Sequence, residues 1–244
     1  MYLIHGQSGY FQSVAKMMEE LLDGPYKYSR NADERGTWIL FFPSYLSDFY
    51  TKIKDPYILI NTEQHHIIFE KYPKYKTFYE NAIKVLDFTD NLQIGYSNSF
   101  RLECEEAKDI DVLFYGVLTS RRRKLIDSID VPNKVVFSTS PPIHGSELWK
   151  YINRSKIILN VFRFENMNVA DWVRIAPLLS NKSFVITESC SNPNFMSLKD
   201  HLVIVNYDDI ISTIDYYLKN PLERIKAADK GFDYIRNNRP TKIL

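Results

Sequence analysis

Two stretches of the chain gather residue types suited to an anionic ligand. Residues 111–125 read DVLFYGVLTSRRRKL. An apolar strand closes on Gly116, Thr119 or Ser120 caps a helix, and Arg121, Arg122 and Arg123 fill its first turn. Cations there oppose the helix macrodipole, so local propensity would place acids instead. A helix N-terminus edged with guanidiniums makes a cradle for a diphosphate; a solvated basic face is the plainer account. The second stretch is 159–165, LNVFRFE, followed by 171–188, DWVRIAPLLSNKSFVITE. Arg163 follows a strand, Arg174 lies one turn into an otherwise apolar helix, and Thr187-Glu188 end a further strand. Ligands of open α/β sheets sit at the carboxyl ends of strands, where a carboxylate can bind ribose hydroxyls. A structural ion pair is the competing account of Arg174 and Glu188.

Several chemistries find no support. G-x-G-x-x-G, the Walker P-loop and the G-x-S-x-G elbow are all missing, and the chain has only 8 glycines, which argues against dinucleotide dehydrogenases, P-loop NTPases and serine hydrolases. His65 and His66 are adjacent and cannot share one helix or strand face. Asp109-Ile110-Asp111 resembles a metal-binding Asp-x-Asp but precedes its strand, and reads as turn chemistry. Cys104, flanked by Glu103, Glu105 and Glu106, reads as structural. Cys190 lies past a strand end with no histidine evident as partner. No metal site is expected.

The elements that must position these groups follow from periodicity. Strands are expected at 2–5, 38–42, 57–61, 84–88, 112–115, 134–138, 156–162, 183–187 and 202–205, and helices at 11–22, 74–84, 120–129, 146–153 and 169–180, with two amphipathic helices around Pro221. Strands alternating with helices argue parallel sheets with right-handed crossovers. The polar segment 90–109 divides the series into two α/β units, 1–98 and 99–244.

Composition limits the partners. The 244 residues carry 31 Lys+Arg against 30 Asp+Glu, a net charge of +1, so bulk electrostatic capture of nucleic acid is not indicated. The hydrophobic content of 45% is ordinary for a folded chain. No run reaches the ~18 apolar residues of a membrane span, and the first residues lack a signal-peptide pattern. A cytoplasmic location is the simple reading. The oligomeric state is not legible.

The 110–236 segment resembles the donor half of glycosyltransferases of the GT-B type, closest to the spore-maturation-type and viral group. The likeness rests on the strand ending FYG with TSRRRKL after it, on RIAPLLSNKSFVITE, and on DHLVIVNYDDIISTIDYYLKNPLERIKAADKGFDYIR. It implies two Rossmann-like domains facing across a cleft, the N-terminal one short, and transfer of a sugar from a nucleotide-diphosphate sugar to a hydroxyl acceptor without a metal. By that analogy Arg121 or Arg123, together with Arg174, contacts the diphosphate, and Gly116 and Arg163 belong to the same donor site. Thr187 and Glu188 meet ribose or sugar hydroxyls, and the 138–144 loop, beginning at Ser138, offers a nucleobase edge. The co-substrate is the nucleotide sugar itself, with no further cofactor.

On that reading residues 1–98 serve the acceptor, a glycan or other hydroxyl compound, with nucleic acid the less favoured acceptor. Gly6, Gln7 and Gly9 form a small-residue loop that permits close backbone approach, and Glu63 and His65 are the candidate bases. The Tyr/Lys-rich stretch 71–80 could stack sugars or single-stranded nucleic acid; the neutral net charge argues against nucleic acid. The alternative is a non-catalytic α/β protein, derived from a transferase, that binds a nucleotide or a partner. Convergence of Arg174 and Glu188 with Arg121–Arg123 distinguishes the two.

Overall fold

The computed structural model describes residues 1–5, 12–22, 24–42, 48–61, 69–70, 73–87, 94–101, 107–138, 143–165, 167 and 169–238. The chain divides into two compact units, Met1–Ile94 and a second that begins at Gly95.

The first unit holds strands β1 (Tyr2–His5), β2 (Tyr26–Ser29), β3 (Thr37–Phe42), β4 (Tyr57–Asn61) and β5 (Lys84–Asp87), with helices α1 (Gln12–Leu21), α2 (Asp48–Lys52) and α3 (Lys74–Glu80). All strand pairs are parallel, in the order β2-β1-β3-β4-β5. Leu3, Ile4, Trp38, Ile39, Leu40, Leu59 and Ile60 are wholly buried, as expected for parallel strands covered on both faces. Val14, Met17 and Met18 recur at helical spacing and give α1 its buried stripe. Helix α3 is anchored by Phe78, which stacks on Tyr57 at 4.5 Å, while the Tyr57 hydroxyl donates to the Phe78 carbonyl at 2.6 Å.

Strand β2 corrects the sequence reading, which places no strand there. Three of its four residues are exposed, so an edge strand without an apolar run carries no periodic signal. Its Tyr26 and Tyr28 hydroxyls both donate to Glu19 on α1.

The second unit holds β6 (Ile110–Tyr115), β7 (Lys134–Phe137), β8 (Ser155–Asn160), β9 (Val185–Glu188) and β10 (Val203–Val205). Its helices are α4 (Ser120–Asp127), α5 (Gly145–Arg154), α6 (Trp172–Ser180), the short α7 (Pro193–Met196), α8 (Ile210–Lys219) and α9 (Pro221–Asn238). The order is β10-β9-β8-β6-β7, again all parallel. Counted from each unit's own first strand, both sheets read second, first, third, fourth, fifth. The topology therefore reverses between β1 and β3 in one unit and between β6 and β8 in the other. Val112, Phe114, Ile157, Leu159 and Ile186 pack with Leu125, Ile126, Ile210 and Ile214 into one core. Every residue of α6 is buried, Arg174 included.

Candidate donor site

In the second unit the predicted donor residues come from elements that end at one sheet edge. Strand β6 stops at Gly116, whose φ of +138° suits only glycine. Its N–H donates to the Phe137 carbonyl at 2.9 Å. Thr119 then caps α4, and its hydroxyl donates to the Arg163 carbonyl at 3.4 Å. Three successive arginines project about 100° apart around a helix, so they cannot share one environment, and each has its own role.

Arg122 is the buried member of the triplet. Its Nε and Nη2 donate to the Val161 carbonyl at 3.0 and 2.6 Å, and Nη1 donates to the Val117 carbonyl at 2.9 Å. It thus ties the glycine turn after β6 to the end of β8. The sequence reading counts Arg122 in the basic first turn but does not name it among the donor residues. The signal was present: Leu125 and Ile126 follow it at i+3 and i+4, so it shares their buried stripe. Arg123 is exposed.

Arg121 turns toward β9. Its Nη1 donates to Glu188 Oε2 at 2.9 Å and to the Phe162 carbonyl at 3.2 Å, and its Nη2 donates to Glu188 Oε1. Glu188 Oε2 also accepts from the Phe162 N–H at 2.9 Å. The guanidinium lies 3.9 Å from the Tyr207 ring centroid, and the Tyr207 hydroxyl donates to the Arg121 carbonyl at 2.7 Å. Burial works to lower the Arg121 pKa; the hydrogen bond and charge of Glu188 more than reverse it. The ion pair here is therefore Arg121–Glu188, not Arg174–Glu188.

Arg174 approaches from α6. Asp171 caps that helix, its carboxylate accepting from the Arg174 N–H at 3.3 Å. The side chain lies 3.5 Å from Asp171 Oδ2, donates to Asn160 Oδ1 at 3.4 Å, and covers the Tyr115 ring at 4.8 Å. Asn160 in turn donates to Thr187 Oγ1 at 3.0 Å, so Thr187 supports the group that orients Arg174. Burial pushes the Tyr115 phenol up to about 12, with the Arg174 charge opposing. A Cβ at Gly116 would stand 3.4 Å from Arg174 Nη2 and 3.5 Å from Arg122 Nη1. Three carboxylates lie close to these arginines: Glu188 and Glu165 at Arg121, the latter 3.8 Å from its Nε, and Asp171 at Arg174.

Arg163 is exposed, its guanidinium 5.2 Å from the Phe164 ring. Ser138 is half-buried just past β7. Cys190 is half-buried, and burial raises its thiol pKa, so it stays protonated at neutral pH. Asp109 pairs with Arg154, and Asp111 Oδ1 lies 2.6 Å from Lys156 Nζ. Both aspartates stand at the start of β6, the end of the sheet opposite Gly116. Gly6, Gln7, Gly9, Glu63 and His65 lie outside the described residues.

The first unit also carries polar groups at the carboxyl ends of its strands; sequence reading notes His5 and Asn61 there and passes over Asp87. Asp87 closes β5 and accepts from Asn61 Nδ2 at 3.0 Å and the Tyr79 hydroxyl at 2.9 Å. His5 closes β1, stacks on Phe49 at 4.3 Å and meets the Tyr50 hydroxyl through Nδ1 at 3.2 Å. The signal was a polar residue ending an apolar run, in YLIH, YILIN and KVLD.

No helix among the described residues is long and apolar enough to cross a membrane. Residues 97–239 match the family model described as glycosyl transferase-like. An uncharacterized protein of Acanthamoeba polyphaga mimivirus is 26% identical over 188 residues, 69% of this chain; the match spans 62% of that relative's length. Among solved structures, a DNA-modifying β-glucosyltransferase, whose substrate is uridine diphosphoglucose, superposes with a TM-score of 0.54 at 11% identity, covering 98% of this chain and 95% of the other. At that identity the likeness is one of fold. Two Rossmann-like units with parallel five-stranded sheets, together with the family match over the second of them, place this chain in the glycosyl transferase-like family with a GT-B fold.

Proposed function

We propose that the chain transfers a sugar from a nucleoside diphosphate sugar to a hydroxyl acceptor, with the donor bound by the second unit. The observation that carries this reading is the pair of nearly buried guanidiniums, Arg122 and Arg174, at the Gly116 turn. That turn lies at the switch between β6 and β8, where open α/β sheets take their ligands. The bare glycine turn gives a diphosphate access to Arg174 and the first turn of α4, with Arg163 and Arg123 as exposed cations beside it. Negative charge that builds on the leaving diphosphate would then meet preorganised donors in a partly dry site, the arrangement that stabilises such transition states most. Glu188, at the end of β9, supplies a carboxylate for ribose hydroxyls. Ser138 borders the base. Fixed cations can do the work of a metal, so we propose a metal-independent transfer. The first unit then serves the acceptor, a glycan or another hydroxyl compound, with Glu63 or His65 as base.

Calorimetric titration with UDP, GDP and ADP and their glucose conjugates, with and without magnesium, tests this. Binding of one nucleotide that persists without magnesium and falls tenfold or more in Arg174→Gln supports the reading. Folded protein that binds none of them sinks it.

A further inference from the structure

We propose that Arg121 is a positioning residue. With Tyr207 it holds Glu188 as an oriented acceptor for a ribose hydroxyl of the donor, and it is not itself a diphosphate ligand. This rests on the donor-site reading above and separates two roles that reading leaves merged.

The direction of the Arg121 fork is the first support. Nη1 and Nη2 both end on Glu188, and the second Nη1 hydrogen is taken by the Phe162 carbonyl. The guanidinium is thereby turned to the ends of β8 and β9, whereas Arg122 and Arg174 reach Gly116. A planar guanidinium matched bidentately to a carboxylate fixes geometry as well as charge. Two contacts from Tyr207 hold Arg121 in turn: the ring under the guanidinium and the hydroxyl on the Arg121 carbonyl. Swinging the side chain out to a phosphate would break the bidentate pair and leave the Glu188 side chain, 7% exposed, as a nearly buried charge without its cation, a costly state.

The second support is acceptor capacity. A carboxylate offers about four lone-pair directions. Among the described residues, Arg121 Nη1, Arg121 Nη2 and the Phe162 N–H use three of those on Glu188. A hydroxyl donor is the partner that fits what remains; a phosphate oxygen, with no proton to give and a like charge, does not.

The two roles give opposite results with deoxynucleotides. A diphosphate ligand contributes equally to UDP and to its deoxy analogues. A residue that acts through Glu188 contributes only where the hydroxyl is present. The probes are UDP, 2′-deoxy-UDP and 3′-deoxy-UDP, with the ADP and GDP series in parallel, titrated calorimetrically. The wild-type protein should prefer a ribonucleotide over one deoxy analogue by about tenfold, the worth of one charge-assisted hydrogen bond. Glu188→Gln and Arg121→Lys should each bring that ratio near one while leaving deoxynucleotide affinity within about twofold of wild type. Tyr207→Phe, which keeps the ring, should lower the ratio partway; it also stands in if Arg121→Lys fails to fold, as judged by its unliganded melt. Equal weakening toward ribo- and deoxynucleotides in Arg121→Lys would make Arg121 a diphosphate ligand and overturn the proposal. So would a wild-type protein that binds both kinds equally. A wild-type protein that binds no nucleotide removes the donor-site reading, and this proposal with it.

Discussion

Arg122 and Arg174 bring their guanidiniums to the same glycine from different helices, Nη1 of one and Nη2 of the other ending 3.5 and 3.4 Å from the position of a Gly116 Cβ. Both residues are more than nine-tenths buried. They divide the work: Arg122 spends its donors on the Val161 and Val117 carbonyls, while Arg174 is held by Asn160 and Asp171 at the start of its helix.

Replacing Arg174 should therefore weaken donor binding more than it weakens the fold. Arg174→Gln is expected to lower nucleoside diphosphate affinity about 10- to 100-fold, the range of charge-assisted hydrogen bonds. Transfer should fall further than binding, because charge on the diphosphate grows toward the transition state. Titration calorimetry and the product formation rate give the two numbers. An unchanged affinity would exclude Arg174 from the diphosphate site.

Arg122 should behave in the opposite way. Arg122→Leu leaves two carbonyls short of their donors and severs the tie between the β6 turn and the end of β8. A loss of about 3 kcal/mol in unfolding free energy is expected. Arg123→Ala, on an exposed position one residue on, should stay within about 0.5 kcal/mol of wild type. Urea unfolding of the two variants makes the comparison, and similar midpoints would contradict the assignment.

Gly116→Ala tests the turn itself. Alanine at a φ of +138° costs about 1–3 kcal/mol of backbone strain. The added methyl stands in ordinary contact distance of both guanidiniums, so donor affinity should drop along with stability. A variant that melts like wild type and binds equally well would show that the turn relaxes freely.

His5 predicts a pH dependence in the first unit. Its pKa is held down to about 4, by burial first and by the Arg30 charge second. The unfolded chain takes up this proton near 6.5. The neutral imidazole's contribution to stability is therefore complete above about pH 6.5 and is lost as pH falls from there toward 4. Melting temperature followed across that window should decline in the wild-type protein. His5→Phe, which keeps an aromatic ring beside Phe49, should decline less. Parallel curves would assign the acid sensitivity elsewhere.

Much of this molecule is local in origin and so was legible in the chain. The buried runs of β6 and β8, the glycine at the end of β6, the Thr119 cap and the stripe of α1 each depend on residues within a few positions of one another. Alternation of such runs with helices sufficed for parallel α/β units, because a parallel strand pair needs a crossover between its members. Strand β2 escaped because an exposed edge strand needs no apolar pattern. The partnership of the charged groups was another matter. Arg121 and Glu188 are 67 residues apart, and their meeting depends on β8 lying between β6 and β9 in the sheet. Chain order does not state that neighbour relation; three-dimensional packing decides it. Sequence could place three arginines in one helical turn, each pointing about 100° from the last. Only the sheet beside that helix decided which one is buried as a tie, which one grips a carboxylate, and which one faces water.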